Sequence, residues 1–549
     1  MMERMTELWD YLYTSRGLET DEDKKNFLKP DFELHTHDPF LFSDMELVVS
    51  RIRLASEQGE TIGVYTDYDC DGIPGSVILS DFLKKIGITH HVYIPDRQLD
   101  GYGLSIKGID FLIEKGATCI ITIDLGVTGF EGALYAKEKG INLIITDHHL
   151  PHETLPDAYA IINPKKEGDL YPFKELCGTG VIFKVIQAYL ARFREAHAVE
   201  VGFEKWLLDM VGLATLADMV PLVGENRVFS YYGLIVMKKT KRTGLLALYT
   251  AAGIKKDQLA EDDVTHSLTP RLNAASRMGN AYLSFQVLST DNPVEGMHLA
   301  KELEALNRKR KSHVAEIMKE VHHLPKEVFE KDVIVLGNPK WRPGVLGLVA
   351  TKVVELYQKP TFVWGGSDEE DTDILKGSCR GVPGMSVVSL MESAKDSFIH
   401  YGGHVGAGGF AVDKRHVHDL AEMLQKGIQK AQIEKTEGDV SAHFLLHEPK
   451  KEVFTIITQF APFGMSNEKP IFKSEFTQII SHKLFGKTKE HLEVFFLMNR
   501  RTYKGIAFFT TEDNFLRPLV MGETYTVIYS MEMSYFIRPE LRLKIIDIY

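Results

Sequence analysis

Three short apolar runs in the first third of the chain are each followed directly by acidic residues. The runs are TIGVYT at 61–66, CIITI at 119–123 and NLIIT at 142–146, and their length and composition predict buried parallel strands. The carboxyl ends of neighbouring parallel strands face one crevice, so the side chains that follow are expected to converge on one ligand site. The polar residues in these positions are Asp67, Asp69, Asp71, Asp124, Asp147, His148 and His149.

The segments between these strands have helical patterns that end alike. Each has a lysine near its end and a glycine directly after it, in KKIG at 84–87, IEKG at 113–116 and KEKG at 137–140. The lysine offsets the negative end of the helix dipole, and the glycine can adopt the left-handed cap. Alternating strands and helices of this kind predict a doubly wound parallel α/β sheet with right-handed crossovers.

Later parts of the chain have different patterns. The long charged segment 293–323 predicts a connecting helix, and a second α/β stretch at about 330–435 opens with DVIVLG and ends rich in glycine. From about 440 to 549, apolar and polar residues alternate with many β-branched and aromatic side chains, which predicts a small β-barrel or sandwich. A chain of 549 residues has room for about three to four such domains.

Composition argues against several classes of protein. Cys70, Cys119, Cys177 and Cys379 are widely spaced without a C-x-x-C pair, which argues against a disulfide framework and a thiolate zinc site. No apolar run approaches the roughly 20 residues of a membrane helix and no signal-peptide core is visible, so a soluble, cytoplasmic protein is expected. The net charge of −12 argues against a uniformly basic nucleic-acid-binding surface, so a polyanion would need local basic patches or metal ions.

The clustered acids indicate a metal site. A single D-x-D after a strand is usually a turn or a helix cap, a lone His-His is usually surface or core, and Asp218 in GLATLADMVPLVGENR could by itself be a cap. Four such features at equivalent strand ends indicate bound cations, because clustered carboxylates repel one another unless a cation neutralises them. Oxygen and imidazole ligands favour Mn²⁺ or Mg²⁺ over Zn²⁺, and two such ions suit phosphoester hydrolysis.

The motifs around these residues resemble those of a known superfamily. DYDCDG, IDLG, TDHH and LADMVPL are similar to the four motifs of the DHH phosphoesterases. RGLETDEDKKNFLKP, LTPRLNAASRMGNA, WRPGVLGLVATKVVELYQKP, GSCRG and GGHVGAGGF narrow the resemblance to the RecJ family of single-strand-specific DNA exonucleases, and together the motifs cover nearly the whole chain. The resemblance implies a metal-dependent 5′→3′ exonuclease that uses Mn²⁺ or Mg²⁺ to release mononucleotides from single-stranded DNA, in repair and recombination.

The resemblance also implies an order of domains within an α/β fold. An N-terminal helical segment (1–45) precedes a doubly wound parallel-sheet DHH domain (46–292) that carries the chemistry. A long connecting helix (293–323) leads to a second α/β domain, the DHHA1 domain (324–438), which binds substrate. A C-terminal OB-like β-barrel (439–549) is expected to bind the single strand.

Roles for single residues follow from the resemblance motif by motif. Asp147 is expected to orient the His148 ring from behind, and His149 is expected to face the scissile phosphate and stabilise the charge that develops there. These three residues are the predicted catalytic group. The predicted metal ligands are Asp67, Asp69, Asp71, Asp124, His148 and Asp218.

Substrate contacts are expected from the Gly-rich and basic motifs that follow. Arg380 in GSCRG is expected to hold a phosphate, and Gly403 and His404 lie in a segment whose glycines let backbone approach a ligand. The resemblance departs from the family pattern at Arg342, where the family usually has histidine after the tryptophan of WRPG. Three further residues could contact the DNA backbone or brace the first domain, and the sequence leaves both open: Arg271, Asn273 and Arg277.

The barrel segment 480–504 is locally basic despite the acidic total. Its lysines and arginines interleave with aromatic residues, which suits phosphate contacts and base stacking, although such aromatics are more often core. The residues are Lys483, Phe485, Lys487, Lys489, Phe495, Phe496, Arg500, Arg501, Tyr503 and Lys504.

Single-stranded DNA is the expected partner, with a helicase and a single-strand-binding protein as further partners and no membrane. Two other functions stay open at this stage. One is a DHH phosphodiesterase for short oligoribonucleotides or cyclic dinucleotides, although those chains are usually shorter and lack the barrel. The other is a non-catalytic DNA-binding scaffold, which would have no need for intact acidic and histidine motifs.

Overall fold

The computed structural model describes residues 2–97, 103–366, 373–428, 443–486, 489–512, 515–534 and 539–549. The chain divides into two compact units, and the larger one consists of His37–Asp218 and Tyr232–Thr436. The smaller unit consists of Met1–Thr36, Met219–Tyr231 and Glu437–Tyr549, and it begins with helices α1 (Met2–Thr14) and α2 (Asp21–Leu28). In the described residues, no helix is both long and apolar enough to span a bilayer.

The larger unit begins with the predicted parallel sheet. Its strands are β1 (Thr61–Thr66), β2 (His90–Tyr93), β3 (Ala117–Ile123), β4 (Asn142–Thr146) and β5 (Ala160–Ile162), in the order β2-β1-β3-β4-β5. The helices around it are α3 (Met45–Gln58), α4 (Gly72–Lys85), α5 (Ile106–Glu114), α6 (Phe130–Glu138) and α7 (Gly178–Phe193). The glycines predicted to end three of these connections, at 87, 116 and 140, all have left-handed φ angles, of 77°, 87° and 75°.

The last residues of four neighbouring strands lie in register. Thr66 pairs with Ile123, Ile123 with Thr146 and Thr146 with Ile162, so the residue after each strand stands in one row. The main-chain ladder continues one step beyond the strands, because each of the first three residues in the row donates its N–H to a carbonyl of the next strand over distances of 3.0–3.1 Å. The residues of this row are Asp67, Asp124, Asp147 and Asn163.

A helical region follows, and it ends in the long helix predicted to connect the two sheets. Its elements are α8 (Phe203–Trp206), α9 (Leu208–Ala217), α10 (Gly224–Met237), α11 (Thr243–Ala252), α12 (Glu261–Asp263), α13 (Thr269–Arg277), α14 (Tyr282–Ser289) and α15 (Pro293–His322). The helix α15 begins at a proline capped by Asn292, whose side chain accepts hydrogen bonds from the N–H groups of Val294 and Glu295.

The second sheet mixes parallel and antiparallel strands in the order β6-β7-β8-β10-β9. Its three antiparallel strands carry the GSCRG and GGHVGAGGF motifs, and Cys379, Phe410 and Phe362 lie in its buried core. The elements in chain order are α16 (Glu327–Glu330), β6 (Ile334–Asn338), α17 (Pro343–Tyr357), β7 (Thr361–Gly365), β8 (Ile374–Arg380), α18 (Val387–Ser393), β9 (His400–His404), β10 (Ala407–Asp413) and α19 (Leu420–Gly427).

The smaller unit contains the C-terminal barrel. β12 pairs with β13 on one side and with β15 on the other, which closes the sheet. Its elements are β11 (Phe444–Leu445), α20 (Lys451–Ile457), β12 (Phe472–Phe485), β13 (His491–Met498), β14 (Arg501–Ala507), β15 (Thr524–Ser534) and β16 (Glu540–Ile548). The predicted fold class, two α/β layers joined by a long helix and followed by a closed β-barrel, is confirmed.

Many of the basic and aromatic residues singled out in the barrel are already engaged within it. Phe496 is fully buried in the barrel core, so it does not offer a stacking surface. Lys483 and Lys504 both form ion pairs with the buried Glu493, and Arg501 lies 3.6 Å from Glu448. Lys487, also part of that prediction, lies outside the described residues.

Candidate active site

The strand ends of the first sheet bring carboxylates and imidazoles together. Asp67 follows β1, whereas Asp218, expected at a strand end, instead caps the end of helix α9. Asp124 follows β3 in the left-handed region with φ 62°. Strain of this kind in a non-glycine residue is characteristic of functional sites. Three groups of ligand atoms each lie within 4.8 Å of one another: Asp67, Asp69 and Asp124; Asp71, His148 and Asp218; Asp124, His148 and His149.

His148 stands at the centre of this cluster as a neutral imidazole. Its Nε2 lies 3.1 Å from Asp124 Oδ1, 3.7 Å from Asp218 Oδ2 and 3.8 Å from Asp71 Oδ2. Burial lowers the pKa of His148 to about 4, although the charge of Asp71 opposes the shift. A neutral ring whose Nε2 faces three carboxylates has the form of a metal ligand.

The pKa values of the clustered carboxylates are shifted as expected for a cation site. Burial is the main cause that raises the pKa of Asp67, Asp124 and Asp218 well above the usual range, and neighbouring carboxylates add to it. Among the described residues, Asp67 Oδ1, Asp124 Oδ1 and His148 Nδ1 are buried without a hydrogen-bond partner. Buried polar atoms of this kind are rare unless something else satisfies them. The donor set therefore fits one or two hard divalent cations.

Asp71 is held from behind by the start of α7. The main-chain N–H of Gly178 donates to Asp71 Oδ2 at 2.6 Å, and the N–H of Thr179 donates to Oδ1 at 2.8 Å. The positive end of the helix dipole stabilises the carboxylate in this position. Position 178 requires glycine, because a Cβ there would lie 2.5 Å from the Cβ of Asp124. This support was not predicted from the sequence, since the helix is about 100 residues away from the acidic motif.

The prediction that Asp147 orients the His148 ring is wrong. Asp147 Oδ1 lies 2.7 Å from Nδ1 of His149, and the same oxygen accepts the main-chain N–H groups of His148 and His149. The short aspartate side chain curls back over its own turn and reaches the ring two residues later, so it contacts His148 only through the backbone. Burial opposes protonation of His149, but the hydrogen bond and charge of Asp147 raise the pKa of that imidazole overall.

An open cleft of about 830 Å³ is lined by both sheets of the larger unit. Arg97 and Arg277 line it from the first sheet and from α13, and Arg380, Gly403 and His404 line it from the second sheet. The ring of His404 stacks at 15° over that of His149, with centroids 6.1 Å apart, so this hairpin reaches the acidic cluster. Gly403 has φ 148°, and a Cβ there would meet the carbonyl of Ala407.

The arginines of the cleft repel one another. Burial lowers the pKa of Arg277 to about 9, and the charges of Arg97, Arg310 and Arg380 add to the shift. Burial and Arg97 lower the pKa of Arg380, whose Nη1 donates to its own neighbours, the Cys379 carbonyl and Ser378 Oγ. Partly buried guanidinium groups that destabilise one another form a site for an anion such as a phosphate.

Two of the predicted substrate residues lie elsewhere. Arg271 pairs with Glu304 at 2.6 Å and donates to the Ser267 carbonyl, so it braces α13 against α15. Asn273 lies on the same helix with its Oδ1 buried, and its side chain is not among those that line the cleft. Arg342, at the departure from the family pattern, is an exposed residue at the start of α17.

Sequence reasoning missed Arg97. It follows β2 in the segment HVYIPDR, at the same sheet edge as the acidic motifs, and its guanidinium lies 5.1 Å from the ring centroid of Tyr68. The rule that strand ends face one crevice would have found it, since β2 neighbours β1. A single arginine after a short strand of histidines gives little signal of its own.

Comparisons with known proteins agree with this geometry. Residues 61–215 match the DHH family, N-terminal domain, and residues 440–547 match the RecJ OB domain. The single-stranded-DNA-specific exonuclease RecJ of Bacillus subtilis is 33% identical over 494 residues, and the match covers 89% of this chain and 61% of that protein. The corresponding RecJ of Haemophilus influenzae is 31% identical and covers 89% of this chain and 86% of that protein.

A solved structure is also similar to this chain and supports the same family. The structure of RecJ in complex with Mn²⁺ from Thermus thermophilus superimposes with a TM-score of 0.79 at 25% identity, covering 98% of this chain and 75% of that chain. The present chain spans about three fifths of the length of the Bacillus relative. The family expected from the DHH, WRPG and GGHVGAGGF motifs is confirmed: this chain belongs to the RecJ family.

Proposed function

We propose that this chain is a metal-dependent exonuclease that hydrolyses single-stranded DNA from its 5′ end to mononucleotides, in repair and recombination. The observation that carries the proposal is the acidic and imidazole cluster placed beside an arginine-lined cleft. The Bacillus and Haemophilus relatives, both named single-stranded-DNA-specific exonucleases, support the same activity. A scaffold would not need a buried cluster of mutually repelling carboxylates, which costs folding free energy in the absence of a metal.

Mn²⁺ or Mg²⁺, as two ions, is the proposed cofactor. The bound ions would supply an activated water and neutralise charge on the phosphoryl group. The residues proposed to hold them are Asp67, Asp69, Asp71, Asp124, His148 and Asp218. Support for this set comes from the neutral His148 ring and from the buried oxygens of Asp67 and Asp124 that accept no hydrogen bond from any described residue.

The residues of the cleft take different roles toward the DNA. Arg277 and Arg380 bind the terminal phosphate, where a planar guanidinium can hold two oxygens. His149 faces the scissile phosphate, and Asp147 holds its ring with Nδ1 as the donor. His404 closes the cleft from the second sheet, at stacking distance from His149. Arg271 and Asn273 act through the packing of α13, which carries Arg277 into the cleft.

The expected partners belong to the same proposal. A helicase would supply unwound strands to an enzyme of this kind, and a single-strand-binding protein would cover them. The proposed place of action is the cytoplasm, where bacterial DNA lies. The alternative of a phosphodiesterase for short oligoribonucleotides or cyclic dinucleotides is tested directly by the choice of substrates.

The test is a time course on single-stranded oligonucleotides labelled at the 5′ or the 3′ end, with Mn²⁺ or Mg²⁺. A 5′→3′ exonuclease releases the 5′ label at once as a mononucleotide and produces a descending ladder from the 3′-labelled strand. An equal-length oligoribonucleotide, a cyclic dinucleotide and a blunt duplex serve as competing substrates. Faster hydrolysis of either ribonucleotide substrate, or release of the 3′ label first, would contradict the proposal.

Asp124→Asn is the variant that tests the metal site, because asparagine keeps the shape of the side chain without its charge. We expect its turnover to fall by several orders of magnitude, since the loss removes several kcal/mol of metal-assisted stabilisation. Circular dichroism and DNA binding in Ca²⁺ should remain close to wild type. If turnover were near normal in this variant, the acidic cluster would not be the catalytic centre.

A further inference from the structure

Three strands of the second sheet present to the cleft a face whose centre has no side chains. Cys379 and Phe410 point into the buried core, so the alternate residues of β8, β10 and β9 face outward. These outward residues pair across the strands in three rows, and all of them line the cleft. The rows are Arg380, Ala407 and His404; Ser378, Gly409 and Gly402; and Lys376, Ala411 and His400.

The glycines of this sheet fall into two classes. A Cβ at Gly377 would lie 2.1 Å from the ring of Phe410, so packing inside the sheet requires glycine there. A Cβ at Gly402 would meet no atom within 4 Å, and one at Gly409 would meet only the Gly377 carbonyl, at 3.8 Å. Both of these residues also have φ outside the left-handed region. The fold therefore does not require glycine at position 402 or 409.

Gly402 and Gly409 form an exposed patch of backbone on the cleft face. They pair with each other on neighbouring strands, and both are exposed. Glycine inside a strand weakens the strand, and it often marks a place where a ligand approaches the backbone closely. Since packing does not explain these two glycines, a group bound in the arginine-lined cleft is the remaining reason for them.

Arg380 lies at the β8 end of the row that contains the glycine patch. Its Nη1 donates to Ser378 Oγ at 3.2 Å, and a Cβ at Gly347 of α17 would lie 2.9 Å from its Nη2. The guanidinium therefore lies between Ser378 and α17, at the side of the patch. Neighbouring strands are about 4.8 Å apart, so the patch begins one strand away from the group proposed to bind the terminal phosphate.

Two histidines flank the patch along β9. His400 and His404 lie two residues before and two residues after Gly402 on the same face, so their Cα atoms are about 13 Å apart. The ring of His404 stacks with that of His149, on the side of the acidic cluster. The space over Gly402 and Gly409 is therefore a slot, open above and wide enough for a planar ring.

We propose that the base of the terminal nucleotide lies flat on Gly402 and Gly409, and that the absence of side chains there lets the cleft accept purines as well as pyrimidines. This inference rests on the proposed function. A planar ring on bare backbone gains van der Waals contact over its whole face. Backbone without a side chain reads no base edge, which suits an exonuclease that must digest strands of any sequence.

The test compares three 5′-phosphorylated oligonucleotides that differ only in the terminal nucleotide, which carries a purine, a pyrimidine or no base. The value of kcat/KM for the first cleavage in Mn²⁺ is measured for wild type, Gly402→Ala and Gly409→Val. Gly409→Val should be slower on the purine end by roughly tenfold or more, as for a pocket that has lost the space of one or two methyl groups. Its loss should be smaller on the pyrimidine end and absent on the end without a base. Gly402→Ala should give the same order with smaller losses.

Thermal unfolding separates this effect from damage to the sheet. Valine favours a strand more than glycine does, so Gly409→Val should melt at or above the wild-type temperature. Gly337→Ala in β6 is the structural comparison, because its Cβ would lie 2.0 Å from the ring of Trp364. It should melt lower than wild type and leave the ratio of the rates on the purine end and the end without a base unchanged.

Two results would overturn the inference. One is an equal loss for Gly409→Val on all three ends, and the other is a wild-type rate on the purine end in both glycine variants. Failure of the proposed function has a different signature, because wild type would then release no mononucleotide from any of the three strands.

Discussion

Asp147 Oδ1 accepts a hydrogen bond from His149 Nδ1 over 2.7 Å, while the ring of the adjacent His148 turns away toward Asp124, Asp218 and Asp71. The pKa values of these two neighbouring histidines are therefore shifted in opposite directions. Burial lowers the pKa of His148 to about 4, whereas Asp147 outweighs burial and raises the pKa of His149. One imidazole is prepared to bind a cation and the other to donate to an anion.

Asp147→Asn is expected to act through His149. Turnover should fall roughly 10–100-fold, as is typical when the partner of a functional histidine is removed, while Mn²⁺ affinity changes little. The measurements are single-turnover cleavage and Mn²⁺ titration by calorimetry, for Asp147→Asn, His149→Gln and the double variant. The double variant should be little slower than His149→Gln alone. A loss of Mn²⁺ affinity as large as that of His148→Gln would contradict this assignment.

The buried carboxylates make the stability of the metal-free protein depend on pH. Their folded pKa values are raised above the unfolded value of about 3.9, so their contribution is fully present below that pH and is lost as pH rises through the folded values. In chelator, Asp124→Asn should therefore gain stability relative to wild type between pH 5 and 8. Added Mn²⁺ should reverse the order, because only wild type keeps the full ligand set.

Thermal unfolding of both proteins across this pH range, with chelator and with Mn²⁺, checks the prediction. Calorimetry is suitable because it resolves small shifts of the midpoint, and each kcal/mol corresponds to a shift of roughly 1 °C in a chain of 549 residues. A difference in midpoint that is constant with pH in chelator would show that Asp124 is not held in the protonated form by its surroundings.

Gly178→Ala is expected to damage the site through one methyl group. The new Cβ would lie 2.5 Å from Asp124 Cβ and 2.7 Å from its Oδ1, so the ligand or the start of α7 must shift. We expect a loss of about 1–3 kcal/mol in stability and at least a hundredfold loss of turnover.

Gly180→Ala in the same helix is the matched control for that variant. Its Cβ would meet its nearest neighbour, Leu176 Cβ, at an ordinary 3.5 Å. Alanine also favours the helix by up to about 1 kcal/mol. Activity and melting temperature should stay near wild type. Equal damage from both substitutions would mean that the helix, rather than its contact with Asp124, sets the tolerance.

The salt dependence of DNA binding should depend on which basic residue of the barrel is removed. Lys504 is paired with Glu493, whereas Lys489 and Arg500 are exposed and form no ion pair with any residue the structure describes. Neutralising one of the exposed residues should lower the slope of log K against log salt by about 0.7, if it contacts a phosphate. Lys504→Gln should lower it less, since its charge already balances a carboxylate.

Fluorescence anisotropy with a long single strand, at four or more salt concentrations, measures these slopes. Lys504→Gln should show its larger effect on thermal stability, because it leaves the buried Glu493 with one cation fewer. An equal loss of slope for Lys504→Gln and Arg500→Gln would show that the ion pair opens when DNA binds.

The sequence by itself determined the first sheet, its strand ends and the chemistry they carry. Each of the first three strands has one strong local signal, which is an apolar run followed directly by an aspartate, in TIGVYT, CIITI and NLIIT. Because these strands are parallel neighbours in register, Asp67, Asp124 and Asp147 lie in one row. The glycine caps at 87, 116 and 140 were predictable for the same reason, because their cause lies within a few residues.

Only the tertiary structure determined which side chain each of these residues contacts. The choice of Asp147 between two adjacent imidazoles depends on how one turn curls, and the clamp on Asp71 comes from Gly178 and Thr179, over 100 residues later. The basic segment of the barrel was misleading in part, because Lys504 meets Glu493 only after β13 and β14 pair. Local sequence patterns indicate which chemistry a residue can perform, whereas long-range packing determines which partner its side chain contacts.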